Sequence, residues 1–496
     1  MLNDLNFLPA ITEIFLASGI LSILLISLFF HEDEKPISYL LSILTIVICM
    51  FMIIQEFDNK EILYTFNKTF ISDSISKLLK FCSCLAMIIT LIYSRSYISI
   101  RGMVSGTLSG EFYVLALMTL LGQMIIISGN NFLIIYLGIE LMSLSLYALV
   151  ALRKNHIAST EAAMKYFVLG ALASGFMLYG MSMLYGVTGS LNLLEISNFL
   201  SNSDLNDPIL IFGIIFLVSG IAFKLGVAPF HMWVPDVYQG SPTSVTLLIG
   251  AAPKFASFAI CMRLLVDGLE GAAIDWQKML LVMSVTSMLI GNVTAIVQTN
   301  IKRLLAYSTI AQMGFMLLGL VSGVYEGSNL DSAVNAYSSS MFYVITYVLS
   351  TLGCFGLIIL LSKNGFESDE ISDFKGLSKR NPWFAFVMLI QLLSLAGIPP
   401  LVGFYAKLSV LQAALTAGYT FLVIFAVIMS LVGAYYYLRV IKIMYFEDPI
   451  KNNPVTAKVD VKFFLSINGI SIAVLGVIPG PLMMVCFNSV LNSISS

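Results

Sequence analysis

Fourteen apolar runs follow one another along the chain, centred near residues 20, 46, 87, 120, 141, 174, 217, 254, 286, 312, 348, 396, 428 and 476. A helix needs about 20 mostly apolar residues to cross the hydrocarbon core of a bilayer. In lipid every backbone N–H and C=O must be satisfied internally, which leaves helices for runs of this length. The expected fold is therefore an all-α polytopic membrane protein with about fourteen transmembrane helices. Composition agrees, since 58% of the 496 residues are hydrophobic and 11% charged. Soluble domains carry roughly 25% charged residues, so this chain cannot cover a globule with polar surface and its expected solvent is lipid. A net charge of −2 lacks the basic face that nucleic acid requires, and no nucleic-acid partner is expected. The cysteines at 49, 82, 84, 261, 354 and 486 form no CxxC pair and read as small buried residues rather than metal ligands or disulfides. The N-terminal MLNDLNF has no basic region and precedes a long apolar run, so no cleavable signal is expected.

Positive charge accumulates in cytoplasmic loops. With the N-terminus outside, the inside loops hold Lys35, Arg95, Arg101, Arg153, Lys154, Lys302, Arg303, Lys363, Lys375, Lys379, Arg380, Arg439, Lys442, Lys451, Lys458 and Lys462. The outside loops hold Lys60, Lys68, Lys77, Lys80, Arg263 and Lys278. This bias predicts an even number of helices with both termini outside.

The four remaining lysines, Lys165, Lys224, Lys254 and Lys407, fall inside spans, as does Glu140 in YLGIELMSLSLYALVA. A charge at bilayer centre costs about 3 kcal/mol on insertion scales, so each needs a partner or water. A structural pair such as Glu140 with Lys224 would fix helix packing. One acid against four bases still leaves lysines over, and they cannot all be charged together without strain. Protonating one should expel charge from its neighbour, which suits a chain of groups that passes protons.

The segment FKLGVAPFHMWVPDVYQGSPT places Gly226 and Pro229 just after Lys224. Proline removes a backbone donor and clashes with the preceding turn. Freed backbone is tolerated in a membrane only where protein or a water-filled cavity satisfies it. A broken helix near 224–235 is expected. His231 lies just past the break and, with an ordinary pKa near neutral, reads equally as a relay or as a histidine fixed at a helix end. Trp233 and Tyr238 read as interface anchors. Gly397, Pro399 and Pro400 repeat the Gly-x-x-Pro-apolar spacing, with Lys407 following, and predict a second break near 397–407. The breaks fall in spans 7 and 12, an odd offset that inverts orientation. Paired interrupted helices are expected of transporters built on inverted repeats. The expected organisation is a three-helix segment over 1–110, five-helix repeats over 111–267 (spans 4–8) and 275–447 (spans 9–13), and a C-terminal helix over 460–496. Phosphate-loop, dinucleotide and metal-ligand motifs are not seen.

YLGIELMSLSLYALVA, FKLGVAPFHMWVPDVYQGSPT, NIKRLLAYSTIAQMGF and LSLAGIPPLVGFYAKL resemble the signatures of the antiporter-like subunits of respiratory complex I, over roughly spans 4 to 13. The N type fits best, because the M type usually has glutamate at the position of Lys407 and the L type carries a long lateral helix. The resemblance implies a subunit of an NADH–quinone oxidoreductase in a bacterial inner membrane. It implies proton translocation coupled to quinone reduction elsewhere, with NADH, FMN, iron–sulfur clusters and quinone held by other subunits. M-type and small K/J-type subunits are the implied neighbours. It makes Glu140 and Lys224 a paired acid and base, Lys254 the central connecting lysine, Lys407 the lysine toward the outer half-channel and Lys165 a supporting lysine. Gln312 stands where many relatives have histidine, and Asn300 where aspartate is common. A subunit of a multi-subunit cation/proton antiporter, or of a membrane-bound hydrogenase, would share the fold and the ionisable residues.

Overall fold

The computed structural model describes residues 6–29, 37–57, 59, 61–101, 103, 110–153, 155–201, 207–324, 330–362, 366–449 and 457–494. Lys35, Lys60, Lys154, Lys363 and Lys451, counted above as loop cations, lie outside them.

The chain opens with α1 (Ile11–Phe29) and α2 (Ile37–Glu56), an antiparallel hairpin of β1 (Leu63–Thr65) and β2 (Phe70–Ser72), and α3 (Ser74–Ile100). There follow α4 (Glu111–Ser128), α5 (Phe132–Val150), α6 (Ile157–Thr188), the short α7 (Leu193–Ser201), α8 (Pro208–Leu225), α9 (Trp233–Gly240), α10 (Thr243–Gly250) and α11 (Pro253–Ile260). Wide π-helical turns extend α11 over Cys261–Asp267. The second half contains α12 (Ala273–Ile296), α13 (Ile301–Ser322), α14 (Leu330–Leu361), α15 (Leu377–Arg380), α16 (Pro382–Ala396), α17 (Val402–Thr416), α18 (Thr420–Phe446), α19 (Val459–Val477) and α20 (Gly480–Ile494). Thirteen of the described helices are long and apolar enough to cross a membrane. The span expected near 396 is split into α16 and α17, each too short to cross alone.

The first and last described segments of the chain lie at one face of the bundle. Thr65 donates to the Asn6 carbonyl there, and the Ile75 amide donates to Ser493 at 3.2 Å. At the opposite face Glu367 accepts from Tyr97 (2.7 Å) and pairs with Arg101 (3.1 Å) and Arg153 (3.4 Å). These bonds tie the end of α3, the α5–α6 turn and the segment after α14 together.

The same local geometry occurs twice. A Cβ on Gly122 would come within 2.6 Å of the Met142 nitrogen and 2.8 Å of the Gly138 oxygen. On Gly291 it would come within 2.6 Å of the Ala311 nitrogen and 2.7 Å of the Tyr307 oxygen. Small residues of this kind let membrane helices approach closely, here α4 on α5 and α12 on α13. Asn131 and Asn300 then cap α5 and α13, accepting from the Leu133 and Arg303 amides. Each capped start pairs with the segment that follows its next helix. Phe132 donates to Leu191 O and Leu193 to Asn130 O; likewise Ile301 donates to Asp369 O and Ile371 to Thr299 O.

Four basic residues expected in loops are buried instead, Lys302 among them at 3% exposed and 3.2 Å from Asp369. Arg263 is 2% exposed and pairs with Asp73 at 2.6 Å. Lys80 is 4% exposed and pairs with Glu13 at 2.5 Å. Lys77 is buried and donates to Asn59 O. Each has found a distant acid or carbonyl that removes the cost of desolvating its charge. The two expected interface anchors are also interior. Tyr238 is fully buried, and Trp233 stacks between Tyr166 and Phe223 at 4.6 and 5.3 Å.

Candidate functional site

Two interrupted helices carry the site. The α8 helix ends at Gly226, whose φ of +78° is a left-handed conformation that glycine adopts without a Cβ penalty. Val227–Met232, including Pro229 and His231, forms the turn into α9. The backbone groups freed by the break have partners. Trp233 Nε1 donates to Phe223 O at 3.0 Å, Ser257 to Lys224 O at 3.4 Å, Lys254 Nζ to Leu225 O at 2.8 Å, and Ala228 N to Ser287 at 2.8 Å. The second break repeats this arrangement. Gly397 has φ +81° and ends α16 just before Pro399 and Pro400. Gln312 Nε2 donates to Leu395 O at 3.0 Å, Lys407 Nζ to Ala396 O at 2.9 Å, and Gly403 N to Ser394 at 3.2 Å.

Lys254 and Lys407 therefore do the same thing. Each buried ammonium caps the last carbonyl before a break glycine. A helix C-terminus carries roughly −0.5 of an elementary charge, so each broken helix aims its negative end at a lysine. Lys407 also donates to Ser430 at 3.0 Å and lies 5.1 Å over the Phe315 ring.

Lys224 is the penultimate residue of α8 and donates to Ser143 at 2.8 Å and Ser174 at 3.4 Å. Ser143 lies three residues beyond Glu140, on the same face of α5. Glu140 Oε1 is buried without a hydrogen-bond partner, and among the described residues Glu140 forms no ion pair within 4.0 Å. The structure thus brings acid and base to neighbouring positions but engages the lysine with hydroxyls. His231 is buried at the first break, and its Nδ1 has no partner.

Lys165 stands apart from these residues. Its side chain is 43% exposed, and it pairs with Glu161 at 2.8 Å and Asp236 at 2.9 Å. Asp236 also binds Arg303 at 2.9 Å, tying α9 to α6 and α13. An exposed pair contributes about 0–1 kcal/mol. Lys165→Ala is expected to leave the amount of chain in the membrane within about twofold of the parent, read by immunoblotting of membranes.

Between the second break and the rest of the bundle runs a group of hydroxyl and amide side chains, of which sequence reasoning had singled out Gln312 alone. Tyr343 donates to Gln312 Oε1, and Gln312 Nε2 donates to Tyr437 at 3.2 Å. Tyr437 bonds Ser308, and Tyr347 bonds Thr309 at 2.7 Å. Ser350 meets Ser394 at 3.3 Å. Gln312, Tyr343, Ser350, Ser394 and Lys407 help line a cavity of about 10 Å³, the size of one water molecule. The one available signal was the polar run Ser308, Thr309 and Gln312, in which Ser308 and Gln312 share a face of an otherwise apolar helix. Asn300 serves as the cap of α13.

Residues 129–433 match the family described as NADH:quinone oxidoreductase/Mrp antiporter, TM. Over 495 residues, and 100% of both chains, the sequence is 58% identical to the NADH-quinone oxidoreductase subunit N of Herminiimonas arsenicoxydans. A chain of respiratory complex I from Thermus thermophilus with bound Aureothin is similar in structure. Its TM-score is 0.80 at 29% identity, over 95% of this chain and 98% of that one. A chain of the Mrp complex from Dietzia sp. DQ12-45-1b shares the fold, with a TM-score of 0.84 at 18% identity over 98% of each chain. The chain belongs to the NADH:quinone oxidoreductase/Mrp antiporter family, within its NADH-quinone oxidoreductase subunit N branch.

Proposed function

We propose that this chain is a proton-translocating membrane-arm subunit of an NADH–quinone oxidoreductase, with Glu140, Lys224, Lys254 and Lys407 carrying the protons. The capping of both break carbonyls by buried lysines is the observation that carries this reading. The negative end of each half-helix holds its lysine charged. If the break shifts, the cap weakens, the cost of a buried charge returns, and the lysine gives up its proton. Conversely, a lysine that loses its proton loosens the break. Proton occupancy and backbone position are thereby linked at two places.

The geometry supports a route. Glu140 and Lys224 exchange a proton beside Ser143. At the first break Lys254 holds the Leu225 carbonyl, the one directly after Lys224. The Ser308, Gln312, Tyr343 and Tyr437 hydrogen bonds lead to Lys407. Gln312 cannot change charge, but its amide orders the hydroxyls beside it. His231, with an unpartnered Nδ1 at the break, is a supporting relay, and Lys165 supports the site through Asp236. The repeated contacts of α4–α5 and α12–α13, together with the two breaks, support inverted repeats over 111–267 and 275–447. They are flanked by the segment 1–110 and the helical region 460–496.

The electron-transfer groups, NADH, FMN, iron–sulfur clusters and quinone, belong in other subunits. M-type and small K/J-type subunits are the expected membrane neighbours. The complex lies in a bacterial inner membrane, with both termini of this chain on the periplasmic side.

The test is Lys224→Ala in inverted membrane vesicles. NADH-driven acidification and quinone reduction are expected to fall about tenfold or more, while NADH oxidation by an artificial acceptor survives as a sign of assembly. If both NADH-driven activities are untouched, the reading of Lys224 fails, and a gradient-driven cation/proton antiport assay becomes the next measurement.

A further inference from the structure

A cavity of about 620 Å³ opens at the face that holds the first and last described segments. It lies between the β hairpin, the α4–α5 turn, the end of the α11 segment, the adjoining ends of α12, α13 and α14, and the end of α20. Tyr64, Asn130, Arg263, Asp267, Glu270 and Tyr337 are among its lining residues. None of them belongs to the route described above.

The floor of this vestibule is a buried charge cluster. Arg263 donates to Asp73 at 2.6 Å, to Asp267 at 3.0 Å and, through Nε, to Ile127 O at 3.2 Å. One guanidinium between two carboxylates leaves the cluster net negative, and Glu270 adds charge to the lining. A concave, acidic surface concentrates cations. Asp73 is 1% exposed, yet its Oδ2 has no hydrogen-bond partner.

Arg263 lies nine residues beyond Lys254 on one continuous helical segment, roughly 13 Å along the axis at about 1.5 Å per residue. The α4 helix packs beside α11; both run toward the terminal face, since Thr243 before α11 bonds Tyr97 at the opposite face and Ile127 near the end of α4 meets Arg263. Ile127 on α4 lies within reach of the Arg263 guanidinium, which donates to its carbonyl. Gln123 lies one turn inward of Ile127 on α4, about 6 Å along its axis. It is fully buried, and neither its Oε1 nor its Nε2 has a partner. Burying an amide without a hydrogen bond is costly, and buried polar groups of this kind are satisfied by ordered water.

We propose that the vestibule is a proton portal, through which Lys254 exchanges protons with the terminal face by way of Gln123 and the Arg263 cluster, without passing Lys407. In the outward step an N–H bond of the Lys254 ammonium breaks and an O–H bond to water forms. The positive charge leaves with the proton, and no electrons are transferred. This inference rests on the proton-translocation reading above.

Gln123→Leu tests it. Leucine has nearly the same volume and removes only an unsatisfied amide, so the fold is retained. Gln123→Asn keeps a polar relay. In inverted vesicles Gln123→Leu is expected to lower NADH-driven acidification about tenfold, with artificial-acceptor activity intact, and Gln123→Asn to restore most of it. Parental acidification in Gln123→Leu would overturn the portal. So would equal loss in both variants, which would make Gln123 a packing residue. Lys224→Ala measured in parallel separates the two readings. If Lys224→Ala abolishes pumping while Gln123→Leu does not, the portal alone falls; if neither variant pumps less than the parent, the translocation reading falls with it.

Discussion

Lys254→Ala and Lys407→Ala are each expected to abolish NADH-driven acidification, and Lys254→Arg and Lys407→Arg to be no better. The argument turns on what arginine preserves. Each lysine donates to a carbonyl at the end of a half-helix, at 2.8 Å for Leu225 and 2.9 Å for Ala396. A guanidinium can also cap a helix C-terminus, an interaction worth about 0.3–1 kcal/mol and up to about 2 when partly buried. Arginine cannot release its proton in a protein. If the lysines served only to hold the breaks in place, arginine would rescue alanine. If they carry protons, both substitutions stop transfer, a loss of about 100-fold or more. The readout is vesicle acidification beside NADH oxidation by an artificial acceptor. Near-parental pumping in the arginine variants would reduce both lysines to structural caps.

The two positions were not equally legible in the sequence. The breaks were readable because their cause is local: Gly226 and Pro229, or Gly397 and Pro399, interrupt apolar runs whose length already demands helices. The matching roles of Lys254 and Lys407 were not readable. Lys254 lies on a different helix from the break it caps, 29 positions from Leu225, and no spacing rule connects them. Glu140 and Lys224 were read as a pair because both are ionisable groups inside spans and the resemblance pairs them. The intervening Ser143 hydroxyl, which takes the lysine's hydrogen bond, depends on how α5 is rotated. Trp233 looked like an interface residue because aromatic side chains collect at membrane–water interfaces, but the break folds it back between Tyr166 and Phe223. The same limit governed the charge tally. Arg95 and Arg263 are indistinguishable as letters. One is part-exposed beside Asp460, and the other is buried on a carboxylate 190 residues away.

That distant carboxylate gives the largest expected effect on stability. Asp73 caps α3, accepting from the Ser76 amide at 3.0 Å, and holds Arg263 at 2.6 Å. Asp73→Ala removes both. Losing one partner of a buried pair costs about 3–5 kcal/mol, because the other charge stays behind, and losing the cap costs about 1 kcal/mol more. Asp73→Asn keeps a side chain that caps well but not the charge, so it isolates the ion pair. Against a total stability of about 5–15 kcal/mol for a domain, Asp73→Ala should sharply reduce the amount of chain assembled in the membrane, with Asp73→Asn intermediate. Immunoblotting of membranes and artificial-acceptor activity read this directly. Equal, parental levels in both variants would show that Arg263 finds another partner. The acid dependence has a definite sign. Burial pushes the Asp73 carboxyl up, but the Arg263 guanidinium and the Ser76 hydrogen bonds outweigh it and hold the pKa at about 2. The unfolded value is about 3.9. A lowered folded-state pKa stabilises fully above the unfolded value, and that contribution is lost as pH falls through about 2. The parent should therefore keep this contribution down to about pH 4 and lose it below. Asp73→Asn should lack that part of the acid sensitivity, which a thermal-denaturation series between pH 7 and pH 2 would detect.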